Sequence, residues 1–387
     1  MAEAAPRDGW RTRGQDAALR AVRRAVTARA VPHAILLAGQ AGSGKTTLAL
    51  DLAAALLCTA PEVAARPCRE CRGCRMVEHG NHPDLHRLAP SGAGQAIGIG
   101  GRDRGPGVRR IIDELALLPV EAGARVAMVE SAERMTEEAQ AAFLKPLEEP
   151  PVGVTIILCA DEPDRLLPTI RSRCAHIRLG PVSTRTIEAI LAEHNLADAP
   201  TAARLARLAT GRPGVALAFA RAPEAVTIRA EIARRLLDLA VIGRSARLAV
   251  IRELLARAGD LLRALDRTPA PARRAATIDV DPPAADADGT DSPMARTPAA
   301  ERRRAALALV AIWRDLVRDL ALVDRGDTRL VRDPDLLDEL LTTASPSSVA
   351  GRDAFLGRLA RAGELLEGNV GPELTLDVLA LAWGRAA

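Results

Sequence analysis

The chain has 387 residues, 48% of them apolar and 26% charged, with a formal net charge of +4. At ~100–200 residues per domain this is room for two or three domains with proper cores. No apolar run approaches the ~18–20 residues of a membrane helix, and the opening MAEAAPRDGW lacks an apolar signal core, so the chain reads as cytoplasmic, with no membrane partner. The charge balance permits contact with nucleic acid without demanding it. Tyr is absent and Phe and Trp number three each; with the abundance of Ala and Arg this fits a GC-rich genome and carries no function.

In chain order, the pattern predicts a helix over 15–29, a strand over 34–37, a helix over 45–57, a helix over 109–117, a strand over 126–129, a helix over 137–145 and strands over 155–159 and 176–179. The strand runs read as buried, and strands alternating with amphipathic helices argue for a parallel sheet covered on both faces, an α/β domain. Beyond Pro181 strand signals fade. Short helices fit 183–193 and 202–208, followed by the break Gly211-Arg212-Pro213-Gly214, and a long helical region follows over 224–265. Residues 268–300, rich in Pro, Ala, Asp and Thr, have little periodicity and read as a flexible insertion. Helical signals resume over 301–323 and from 335 to the end, and there is no repeat of fixed period. The expected layout is an α/β domain over 1–180, a small helical domain over 181–223 and a larger all-helical domain over 224–387.

Residues 39–46 read Gly39-Gln40-Ala41-Gly42-Ser43-Gly44-Lys45-Thr46, the pattern G-x-x-x-x-G-K-[ST]. Glycines let the backbone curl so that successive N–H groups converge on phosphate oxygens, and the helix N-terminus adds partial positive charge. Lys45 reaches outer phosphates and the Thr46 hydroxyl is placed for Mg²⁺. The candidate nucleotide-binding set is Gly39, Gly42, Ser43, Gly44, Lys45, Thr46 and Thr47, for ATP with Mg²⁺ or for ADP.

Cys58-x9-Cys68-x2-Cys71-x2-Cys74 places four thiols in one short stretch, with Cys58 at the end of the helix that follows the phosphate loop. Four sulfurs at this spacing suit a tetrahedral, closed, structural Zn²⁺ site. His79 and His82 lie nearby and are alternatives for one ligand; Cys159 and Cys174 stand singly in apolar, strand-like contexts.

P-loop enzymes end a neighbouring strand with an Asp that holds Mg²⁺, and ATPases of the AAA+ type follow it with a Glu that polarises the attacking water. Here the strand Val126-Ala127-Met128-Val129 ends in Glu130-Ser131-Ala132-Glu133. Glu130 is a candidate for Mg²⁺. Ser131 stands where the catalytic Glu would be, and an unassisted hydroxyl is no general base at neutral pH. Glu133 is a second candidate base, two residues further on.

Several segments together resemble one family. Val31-Pro32-His33-Ala34 leads into the phosphate loop, the four-cysteine insertion follows it, and Val108-Arg109-Arg110-Ile111-Ile112-Asp113-Glu114-Leu115 precedes the acidic strand. Ala142-Phe143-Leu144-Lys145-Pro146-Leu147-Glu148-Glu149-Pro150-Pro151 and Leu166-Leu167-Pro168-Thr169-Ile170-Arg171-Ser172-Arg173-Cys174 come after it. This set resembles the AAA+ clamp-loader subunits of bacterial DNA polymerase III over about residues 9–220. Within that family, Glu130-Ser131 in place of Asp-Glu, Gly214 where gamma/tau subunits carry a sensor arginine (Arg212 is close by), and the lack of a tau-like extension favour the delta-prime group.

The resemblance implies a stator with weak or no ATPase of its own. Arg173 would act as an arginine finger in trans on a neighbouring gamma/tau subunit, with Arg171 as its competitor. The implied partners are gamma/tau, delta, the sliding clamp and primer-template DNA in a hetero-oligomer joined by a helical collar over 224–387. Basic residues around 102–110 are candidates for DNA phosphates. The alternatives are a gamma/tau-like motor ATPase and an AAA+ protein of DNA repair or recombination.

Overall fold

The computed structural model describes residues 9–90, 96–100, 107–121, 123–267, 298–343, 349–368 and 370–383. Two compact units emerge: one runs to Ile190 and takes in Gly211–Val215, the other holds Leu191–Thr210 and the described residues from Ala216 onward.

The first unit is built on five parallel strands, β1 (Ala34–Ala38), β2 (Leu85–Leu88), β3 (Arg125–Val129), β4 (Val154–Ala160) and β5 (Ala175–Arg178), in the order β2-β3-β4-β1-β5. Successive side chains alternate faces. Ile35 and Leu37 of β1, Val126 and Met128 of β3, and Ile157 and Cys159 of β4 pack with α1 (Asp16–Thr27) and α2 (Lys45–Leu56). Ala34 and Leu36, Ala127 and Val129, and Ile156 and Leu158 pack on the other side with α4 (Val108–Leu115), α5 (Glu137–Glu148) and α6 (Pro168–Arg171). The sheet is thus covered on both faces, as its apolar strands require. Thr136 caps α5, accepting from the Ala139 N–H at 3.3 Å.

Three sequence expectations need correction. β5 is not buried: it is the sheet edge, and Ala175, His176 and Arg178 are exposed. Cys174 lies in the turn before β5 rather than in a strand, although its thiol is buried in the core. β2 and α3 (Arg72–His79) were not anticipated. In β2 two leucines flank His86 and Arg87, too short and too polar a run to read as a strand; pairing with β3 makes it one.

α7 (Thr184–Glu193) and α9 (Pro213–Arg221) carry the chain between the units; α9 starts inside the glycine-proline break, with Pro213 as its first residue. The second unit holds α8 (Ala199–Ala209), α10 (Pro223–Asp238), α11 (Arg244–Asp266), α12 (Ala299–Asp324), α13 (Leu337–Thr343), α14 (Val349–Glu367) and α15 (Pro372–Trp383). The expected continuous helical region over 224–265 is two helices, parted at residues 239–243, with Gly243 at the cap of α11. Of the 268–300 stretch, residues 268–297 lie outside the described residues, and α12 begins at Ala299. The scarce aromatics concentrate here: Trp313, Phe355 and Trp383 stack mutually at 4.9–5.8 Å between ring centroids, and the Trp383 indole N–H donates to the Leu236 carbonyl at 2.9 Å. Among the described residues no helix is long and apolar enough to cross a membrane.

Candidate functional site

β1 delivers the chain into the phosphate loop, and α2 carries it away. Gly42 and Gly44 have φ of +80° and +102°, in the left-handed region that glycine enters without a Cβ penalty. The Gly39 N–H donates to the Ala160 carbonyl at 3.2 Å, continuing the β1–β4 ladder into the loop. Ser43 is buried, and its hydroxyl has no hydrogen-bond partner among the described residues. Nothing lies within 4 Å of the space a Gly44 side chain would enter. A curled loop at a helix N-terminus, with an orphaned hydroxyl and open space beside it, fits a phosphate group. Thr46 is half-buried and Thr47 exposed in the first turn of α2.

Two contacts that sequence reasoning missed hold this loop. The Gln15 amide N–H₂ donates to the carbonyls of Ser43 at 3.2 Å and Gly180 at 2.7 Å, and its oxygen accepts from the Gly180 N–H at 3.2 Å. The Gly214 N–H donates to the Gly42 carbonyl at 2.8 Å, and a Cβ at Gly214 would sit 3.0 Å from the Gly42 Cα. Gly214, the expected counterpart of the gamma/tau sensor arginine, is here a backbone strut against the loop.

Lys45 is 7% exposed, and its ammonium donates to the Gly39 carbonyl at 2.7 Å and the Gln40 carbonyl at 2.9 Å and pairs with Asp161 at 2.5 Å. Asp161 directly follows β4, whose end adjoins that of β1. The Asp161 N–H in turn donates to the Glu133 carboxylate at 3.2 Å, so Glu133 points toward the loop rather than away from it. Burial, with the charge of Asp161 adding to it, pushes the Glu133 carboxyl above the usual carboxylate range.

Glu130, at the end of β3, is engaged by Arg87 of β2 at 2.5 Å. The register sets this up: Arg87 pairs opposite Met128, two residues before Glu130 on the same face. Ser131 follows at φ 49° in the left-handed region. Of the expected carboxylates, Glu130 is bound to an arginine and Glu133 faces the lysine side.

The four thiols converge. The Sγ atoms of Cys58, Cys68, Cys71 and Cys74 all lie within 4.8 Å of one another, with Cys58–Cys68 at 3.5 Å and Cys58–Cys71 at 3.8 Å. Backbone N–H groups aim at three of the sulfurs: Ala60 at Cys58 (3.5 Å), Cys71 at Cys68 (3.4 Å) and Cys74 at Cys71 (3.4 Å). Burial pushes the Cys71 thiol up, but the donors from Cys74 and Thr59 outweigh it and hold it at about 6; burial raises Cys58 and Cys74. The group can hold a metal ion. His79 instead bonds the Arg75 carbonyl (2.7 Å), and the buried His82 accepts the Asp84 N–H at 3.1 Å; neither joins the cluster. Gly73 lets the knuckle close on α2, since a Cβ there would lie 2.4 Å from the Leu57 carbonyl oxygen. The buried Asp51 of α2 ties the knuckle to the N-terminal segment, pairing with Arg69 and accepting the N–H groups of Arg11 (2.9 Å) and Thr12 (2.8 Å).

The two sequence motifs after the acidic strand also meet. Arg173 pairs with Glu148 at 2.6 Å and donates to the Thr169 carbonyl at 2.9 Å, both side chains being partly exposed; Arg171 pairs with Asp164. Of the basic segment around 102–110, residues 102–106 lie outside the described residues.

Residues 14–183 match the family model described as DNA polymerase III, delta subunit. DNA polymerase III subunit delta' of Bacillus subtilis (strain 168) is 34% identical over 200 residues, 52% of this chain and 57% of that protein. Subunit delta' of Pseudomonas aeruginosa is 42% identical over 142 residues, 37% of this chain and 41% of that protein. Subunit tau of Escherichia coli (strain K12) is 32% identical over 203 residues, 51% of this chain and 30% of that protein. The chain thus spans about half the length of the delta-prime relatives it matches. The matched segment contains the phosphate loop, the four cysteines, Glu130-Ser131 and Arg173, and over it the chain is similar to the delta-prime subunits of bacterial DNA polymerase III.

Proposed function

We propose that the chain works as a delta-prime stator in a DNA polymerase III clamp loader, helping ATP-dependent loading of the sliding clamp onto primed DNA while hydrolysing little ATP itself. One observation carries the reading: an intact phosphate loop stands one strand away from an acidic strand whose carboxylate Glu130 is bound by Arg87 and whose next residue is Ser131. The proposed partners are gamma/tau and delta subunits, the clamp and primer-template DNA, in the cytoplasm. The domain division into 1–180, 181–223 and a collar over 224–387 belongs to the same proposal.

Arg173 is the proposed finger toward a neighbour's ATP. Its pairing with Glu148 does not oppose this, because a partly exposed ion pair is worth only ~0–1 kcal/mol and yields readily to a phosphate. A guanidinium at the transferred phosphoryl is worth ~10³–10⁵ in rate. The metal proposed for the cysteines is a structural Zn²⁺. Zn–S bonds of ~2.3 Å in a tetrahedron set the sulfurs about 3.8 Å apart, close to the 3.5 and 3.8 Å between Cys58 and its neighbours.

The intact loop and the likeness to tau favour a second reading, a gamma/tau-like motor. Steady-state ATPase of the purified chain separates the two: turnover that rises with DNA and clamp and vanishes in Lys45→Ala supports the motor, and near-zero turnover supports the stator. In a complex reconstituted with gamma/tau and delta, Arg173→Ala is expected to cut ATP use steeply while this chain's own nucleotide binding stays intact. Unchanged turnover of the complex would remove Arg173 from the role.

A further inference from the structure

The ammonium of Lys45 has three N–H donors, and all three are spent inside the protein, on the carbonyls of Gly39 and Gln40 and on the carboxylate of Asp161. In a phosphate loop the lysine is the group that reaches the outer phosphates. An oxygen 2.5 Å from its Nζ therefore stands where an outer phosphate oxygen would stand. The two carbonyls belong to the loop and stay with it. Asp161 is a side chain, 34% exposed, and is the acceptor that can give way.

Asp161 is not alone. Glu133 accepts its N–H at 3.2 Å, so a second carboxylate flanks the same end of the pocket. An incoming γ-phosphate would have to displace one carboxylate from Lys45 and then settle beside two. A nucleotide ending at the β-phosphate places less charge there.

We propose that the phosphate loop of this chain is a nucleoside diphosphate site, in which Asp161 stands in for the outermost phosphate on Lys45 and discriminates against the triphosphate. The inference rests on the phosphate-loop reading and adds its ligand class. It also gives the stator a physical basis beyond the missing base, since a pocket that rejects the γ-phosphate has nothing to hydrolyse.

Calorimetric or fluorescence titration of the full chain with ADP and with ATP, each with Mg²⁺, tests it. Wild type is expected to bind ADP about tenfold or more tightly over ATP, as expected for like charge at close range. Asp161→Asn, nearly isosteric and uncharged, is expected to bring the two within about threefold, chiefly by tightening ATP. Asp161→Thr repeats the measurement in case the amide refolds onto Lys45. ATP bound as tightly as ADP by wild type overturns the proposal. So does a preference that persists in both variants, or a loss of ATP binding in Asp161→Asn, which would make Asp161 a ligand of the nucleotide's Mg²⁺. Lys45→Ala keeps the two readings apart. If binding of both nucleotides survives it, or if wild type binds neither, the phosphate-loop reading falls and takes this inference with it. If it abolishes binding while wild type shows no preference, only the role of Asp161 falls.

Discussion

The C-terminal ends of β1 and β3 lie in one sheet, point the same way and are parted by a single strand, yet they differ in kind. β1 ends in a complete cradle: left-handed glycines, a helix N-terminus and a buried lysine. β3 ends in a glutamate bound to Arg87 and a serine at φ 49°. Gripping phosphate relies largely on backbone N–H groups, which a glycine-rich loop supplies whatever its neighbours do. Activating water needs one carboxylate, free and correctly aimed. The first arrangement is present here and the second is not, which is the division of labour that the proposed stator role calls for.

Gly214→Arg tests the cradle side and carries the largest expected effect among the changes that bear on this comparison. It would place an arginine where the resemblance to gamma/tau subunits expects one. A Cβ there meets the Gly42 Cα at 3.0 Å and the Gly42 carbonyl oxygen at 3.1 Å, so the change overpacks a backbone contact, at a cost of ~1–3 kcal/mol. Thermal melts should show a lower Tm, and nucleotide titrations a weaker grip. A stable variant with tighter nucleotide binding would mean that the 211–215 segment yields easily and that Gly214 is no strut.

Ser131→Glu tests the β3 side. If the missing base were the whole deficiency, restoring it would raise single-turnover hydrolysis by ~10²–10⁴. The expected rise is less than about tenfold, because Arg87 still holds Glu130 and Asp161 still holds Lys45. A left-handed backbone also suits Glu poorly. A rise of the full size would make the two strand ends differ by a single side chain.

What the sequence revealed and what it hid divide along the same physical line. The phosphate loop and the four cysteines were legible because their chemistry needs fixed spacing along the chain, and the apolar runs placed four of the five strands. Arg87 and Asp161 were not legible, because their roles arise from pairing across strands: β2 against β3 puts Arg87 beside Glu130, and β4 against β1 puts Asp161 beside Lys45. One signal pointed at Asp161. It is the first charged residue after an apolar strand, and the carboxyl ends of parallel strands are where such sheets bind ligands. Gln15 gave no signal, and Gly214 stood out only for the arginine it lacks, since each acts through backbone groups of the loop.

Glu133 offers the smallest and most specific test. Burial raises its carboxyl in the folded chain above the ordinary value of 4.5. Between that value and the raised one, the folded state binds more protons than the unfolded state, so stability falls as pH rises through this window. At neutral pH the ionised carboxylate is a net cost, and below pH ~4 it is protonated in both states and the cost vanishes. Glu133→Gln should therefore be more stable than wild type near pH 7, with the gap closing as pH drops through the window. Denaturant melts of both proteins across that range measure the gap directly. A variant less stable at pH 7 would mean that groups on the loop favour the Glu133 anion by more than its burial costs.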